Sequence, residues 1–106
     1  MILIGGNKMN NEQFAKDWIE AIWNNEEKTM YHSIAKDTVF LSIEDKKEAS
    51  LEDTLNVIRD FKDAPMEIMS SAVCVKILLK KDEKELHFFF QISRNRLRRV
   101  EFCYHC

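Results

Sequence analysis

Few side chains in this chain are suited to chemistry. His32, His87 and His105 supply imidazoles, Tyr31 and Tyr104 phenols, and Cys74, Cys103 and Cys106 thiols. The tightest grouping is Cys103-Tyr104-His105-Cys106, whose residue types are those of zinc ligands. A complete site needs a second pair, and only the distant Cys74 and the other histidines remain. On a strand, positions 103 and 106 also point to opposite faces. No metal and no cofactor is expected there; a c-type haem attachment would need a histidine directly after the second cysteine. The candidates for acid–base work are His32, His87 and Tyr31. A catalytic histidine needs a partner that shifts or orients it, and the sequence supplies none by itself.

Phosphate chemistry is excluded on backbone grounds. The only glycines are Gly5 and Gly6, so residues 7–106 are glycine-free. Phosphate cradles and dinucleotide fingerprints need backbone that only Gly allows. With 16 basic and 18 acidic residues the net charge is −2, which argues against a nucleic-acid or anionic-membrane surface. Arg94, Arg96, Arg98 and Arg99 form a basic stretch that reads as a solvated turn. No window approaches the roughly 18 apolar residues of a membrane span, and the start lacks the features of a secretory signal. An odd number of cysteines, in a chain large enough to fold without staples, points to free thiols and a cytoplasmic setting.

The elements that must position these residues follow from periodicity. Residues 1–8 read as a flexible leader and 9–106 as one domain. Residues 11–24 carry Phe14, Trp18, Ile22, Ile19 and Trp23 at helical spacing. Asn24-Asn25 breaks that helix, Asn being the non-glycine residue best able to turn left-handed. A second helix is expected over 26–35 and a strand over 38–43, followed by a charged connection. Ser50, with Asp53 three residues on, opens a third helix, which Pro65 ends. From Met66 the period becomes two. Strands are expected over 66–79, 85–93 and 97–104, with Asp82 and Asn95 as left-handed turn residues. The order helix-helix-strand-helix-strand-strand-strand is that of an α+β domain.

That order, and the local text that carries it, resembles the nuclear transport factor 2-like superfamily. The segment from Trp18 to Val39 looks like the family's opening. It has an aromatic helix, a break at Asn24-Asn25-Glu26, a second helix, and the strand entry Ala35-Lys36-Asp37-Thr38-Val39. Asn95 to Tyr104 looks like the family's last turn and final strand. The resemblance implies a cone-shaped, curved antiparallel sheet wrapped on the N-terminal helices. It also implies one apolar pocket and homodimers formed through the sheet face.

Fold alone does not imply a reaction. Ketosteroid isomerase, which shares the fold, uses a carboxylate base with a Tyr and a protonated Asp. Here the matching positions hold Trp18, Leu41 or Ser42, and Phe90 or Gln91, so isomerase chemistry is not carried over. In strand 85–93, Leu86, Phe88 and Phe90 form the natural core face, which puts His87 and Gln91 outside. A two-residue turn at Asn95 would instead pair Gln91 with Val100 on the pocket side. The resulting expectation is a SnoaL-like protein that holds an apolar small molecule in the cone. Its lining would come from Trp18, Ile22, Tyr31, Phe40, Met69, Phe102 and Tyr104. The alternatives are a cyclase, dehydratase or isomerase with a rearranged histidine site, and a ligand-free dimerisation or adaptor module. An open cavity holding a paired His or acid favours the enzyme, and a filled cone favours the adaptor.

Overall fold

The computed structural model describes residues 11–104. The leader expected at residues 1–8 lies outside them. Helix α1 (Asn11–Trp23) buries Ala15, Trp18, Ile19, Ala21, Ile22 and Trp23. It ends as the sequence requires: Asn25 takes φ 58°. The amide of Glu26 reaches Ala21 O at 2.8 Å and that of Asn25 reaches Ile22 O at 3.2 Å. That bond pair is a Schellman cap with Asn in the place usually given to Gly. Helix α2 (Glu27–His32) follows and is shorter than expected.

The first strand, β1 (Ile34–Ser42), starts four residues earlier than its β-branched core suggested. The cause is a long-range partner. Ile34 pairs with Leu97, after which β1 bulges until Val39 pairs with Arg99. Thr38 holds the bulge by donating to Leu97 O at 2.6 Å and accepting from Ala35 N at 2.8 Å. A two-residue strand, β2 (Lys47–Glu48), folds back on β1 within the expected connection. Helix α3 (Leu51–Asp60) is capped by Ser50, whose hydroxyl accepts from Asp53 N at 2.9 Å.

The run 66–79 is two strands, β3 (Met66–Ser70) and β4 (Val75–Lys81). The turn between them carries no Gly or Pro. Ser71 makes it with its hydroxyl, which accepts from Val73 N and Cys74 N, each at 3.3 Å; such side-chain turns leave little trace in a sequence pattern. Strands β5 (Lys84–Ser93) and β6 (Arg96–Tyr104) complete the sheet. Its order is β2-β1-β6-β5-β4-β3. It is mixed rather than wholly antiparallel, because β1 runs parallel to β6. The β5–β6 turn does have two residues, Arg94 and Asn95, both at positive φ. In the register that this turn sets, Gln91 would face Arg98; a register shift after Gln91 pairs it with Arg99, and Val100 pairs with Phe90. Gln91 and His87 therefore stay on the outer face.

Three rows of side chains cross the inner face. The first is Val75, Phe90, Val100 and Phe40; the second is Ile77, Phe88, Phe102 and Ser42; the third is Leu79, Leu86 and Tyr104. Helix α1 lies against the first row through Trp18, which meets Phe90 edge-on at 6.0 Å and stacks on Phe40 at 6.5 Å. Phe88 continues the chain of rings to Phe90 at 5.5 Å and to Phe102 at 5.8 Å. The interior is thus closed with aromatic rings, and each buried ring contributes roughly 1.5–3 kcal/mol through apolar burial.

Candidate functional site at the mouth of the cone

The second and third rows end in Ser42 and Tyr104, where the ring packing stops. A cavity of about 350 Å³ opens there, between α3 and the ends of β1 and β6. Phe102, Tyr104 and Val57 give it an apolar floor, and Glu44, Asp45, Glu48, Asp53 and Asp60 stand around it with Lys47. A neighbouring cavity of about 400 Å³ shares Asp60 and Tyr104 and adds Phe61, Lys81, Asp82 and Lys84. Tyr104 and Asp60 therefore line both cavities.

Local bonding fixes this rim. The Ser42 hydroxyl donates to Asp45 Oδ2 at 3.1 Å, which turns the chain after β1. The Tyr104 amide donates to Glu44 Oε1 at 3.0 Å, tying that turn to the end of β6. Lys81 Nζ reaches Asp60 O at 3.5 Å from the other side. The Tyr104 ring packs against Phe61 at 6.1 Å. Burial raises the pKa of its phenol above the ordinary value, and the carboxylates of Asp60 and Glu44 raise it further. At neutral pH the phenol is protonated, an uncharged hydrogen-bonding group set among carboxylates.

Of the seven residues expected to line a pocket, Phe102 and Tyr104 lie in this groove. Trp18, Ile22 and Phe40 are buried in the packed interior. The Trp18 indole N–H donates to Met30 O at 3.1 Å, so it is not directed at any bound molecule. Tyr31 and Met69 are about half exposed, at 53% and 52%. The three catalytic candidates are not gathered into one place. His32 and Tyr31 are neighbours on α2, and His32 borders a separate hollow with Lys28, Thr29 and Ser33. His87 lies on the outer sheet face, opposite Leu78 and Cys103. No imidazole lines the mouth groove among the described residues. Cys74 is a free thiol as expected, whereas Cys103 is disulfide-bonded, which corrects the free-thiol reading for that residue.

Sequence reasoning did not assign Glu44, Asp45, Asp60 or Phe61 to a site. The available signal was the alternation of β6, which places Tyr104 on the same face as Phe102. Whatever borders Tyr104 then borders the mouth.

No family model and no curated protein matches the sequence. Solved structures do match the fold. A protein of unknown function with a cystatin-like fold from Xanthomonas campestris superposes with TM-score 0.68 at 15% identity, covering 92% of each chain. A candidate SnoaL-like polyketide cyclase from Shewanella putrefaciens CN-32 gives TM-score 0.67 at 9% identity, covering 93% of this chain and 82% of its own. An NTF2-like protein of unknown function from Cytophaga hutchinsonii ATCC 33406 gives TM-score 0.64 at 10% identity, covering 92% of each chain. The architecture is the nuclear transport factor 2-like cone. Among the described residues no helix is long and apolar enough to cross a membrane.

Proposed function

We propose that this nuclear transport factor 2-like fold binds a small molecule at the mouth of its cone rather than in its depth. The carrying observation is where the aromatic packing stops. Trp18, Phe40, Phe88 and Phe90 fill the interior, and the groove opens only at Phe102 and Tyr104. An apolar floor ringed by carboxylates suits a ligand with an apolar body and a cationic or hydrogen-bond-donating end. An organic anion would meet Glu44, Asp45 and Asp60 and be repelled.

The test uses 1-naphthylmethylamine and 1-naphthoate as probes, followed by NMR. The amine is expected to shift the resonances of Phe102 and Tyr104, and the carboxylate to leave them unmoved. Equal shifts from both, or shifts confined to other regions, would defeat this reading.

The filled interior favours a second reading, a ligand-free dimerisation module. Its surface would be the outer sheet face, where Leu41, Leu78 and Phe89 are half-buried in the single chain. The cyclase-type alternative loses support from the separation of His32 and His87 and from a groove that lacks an imidazole. For a cytoplasmic setting the free Cys74 thiol speaks in favour and the disulfide at Cys103 against.

A further inference from the structure

The mouth of the cone is short of positive charge. Five carboxylates, Glu44, Asp45, Glu48, Asp53 and Asp60, line its cavity against the single amine of Lys47. None of the five forms an ion pair among the described residues. The opposite end of the sheet is its counterpart. Because β1 and β6 run parallel, their starts share one end, and Ser42 and Tyr104 share the other. At the starting end the β5–β6 hairpin carries Arg94, Arg96 and Arg98. Arg98 pairs with Asp37 at 3.8 Å, and Arg96 Nη1 donates to Asn95 O at 3.1 Å. Arg94 is exposed at the tip, and its side chain has neither a hydrogen bond nor an ion pair among the described residues.

Arg94 is also ill-suited to its turn. It and Asn95 hold φ 55° and 63°, the geometry of a two-residue hairpin turn that favours Asn, Asp or Gly. No contact within the chain compensates for an arginine there. Residues that break a local rule without a local gain are expected where a chain meets something else.

We propose that the mouth receives the hairpin tip of a second copy of this chain, with the Arg94 guanidinium on the aromatic floor of Phe102 and Tyr104 and among the carboxylates. The proposal rests on the reading of the mouth as a groove for an apolar body with a cationic end, and it names the occupant. An arginine has that form: an aliphatic stem, and a planar cation that stacks on aromatic rings and meets carboxylates through two N–H groups. A copy cannot fill its own mouth. The nine residues of β6 separate tip from mouth by about 25 Å, several times the reach of one side chain. The contact is therefore heterologous: each copy gives a tip and receives one. It buries little area, so it is weaker than the sheet-face pair and is read above micromolar concentration.

The test mixes isotope-labelled Arg94→Asn chain, whose mouth is intact, with unlabelled chain and follows Phe102 and Tyr104 by NMR. Unlabelled parent chain is expected to shift both resonances, and added salt to reverse the shift. Unlabelled Arg94→Asn should bind on the order of tenfold more weakly, the loss expected on removing an arginine anchor. Asn suits the turn better than Arg, so a misfolded hairpin cannot produce that loss. Contact through the sheet face would move the two mixtures alike. Resonances unmoved by the parent chain, or moved equally by both, overturn the proposal. If 1-naphthylmethylamine still shifts them, the cation-accepting groove stands and only its occupant falls; if the amine fails as well, both fall.

Discussion

Trp18 of α1 and Phe90 of β5 meet edge to face at 6.0 Å, with an 82° angle between rings, at the centre of the space the cone encloses. This contact fills the interior. A ring that would form the back wall of an open pocket is here a plug, and its indole N–H is bonded to the Met30 carbonyl.

Trp18→Ala is therefore expected to act on stability. Truncating a fully buried Trp costs about 3–5 kcal/mol, to be read as a lowered urea midpoint with an unchanged slope. Naphthylmethylamine affinity per folded molecule should be unaffected. A lost affinity with intact stability would mean that the interior opens for ligand.

Asn25 offers a test of the backbone. At φ 58° it sits where a Cβ is unfavourable by about 1–2 kcal/mol, a cost that Asn tolerates better than Ala. Asn25→Ala should destabilise by about 1 kcal/mol, whereas Asn25→Gly should be neutral or mildly stabilising. Paired denaturation curves of the two variants check the order.

Tyr104 sets a limit on the alkaline side. Its folded pKa is raised above the ordinary value of 10.0, so the folded state holds the phenolic proton more tightly than the unfolded one. That contribution is fully present below pH 10 and is lost as pH rises through the folded value. The urea midpoint should fall above pH 10, and Tyr104→Phe should remove part of the fall. Phenolate absorbance should show one of the two tyrosines titrating late.

The outer sheet face can be tested by mass. At micromolar concentration, light scattering should give a dimer, and Phe89→Glu should give a monomer with unchanged circular dichroism. A monomeric parent chain would count against the sheet-face interface.

Some of this was readable from residue types alone. Asn25, Asp82 and Asn95 were expected to be left-handed, and they have φ 58°, 53° and 63°. In a glycine-free stretch, few other residues take that conformation easily. Lys46, Asp63 and Arg94 also take it, but at Arg94 the tight hairpin imposes the geometry and the side chain gives no hint. The β3–β4 turn was invisible because the Ser71 hydroxyl makes it. The early start of β1 was invisible because its cause, Leu97, is distant in sequence. In the groove, Phe102 and Tyr104 were legible from alternation. Glu44 and Asp60 read as solvated charges, since only the tertiary fold brings α3 beside the turn after β1.

The parallel pairing of β1 with β6 has a consequence for biosynthesis. β1 emerges from the ribosome before β6, yet apart from two residues of β2 its sheet partner among the described residues is β6. Joining them closes a loop with a high contact order, an event that slows folding. Throughout the synthesis of α3 and β3–β5, the apolar side chains of β1 have no completed sheet to join. During that interval the nascent chain is most exposed to aggregation and most dependent on chaperones.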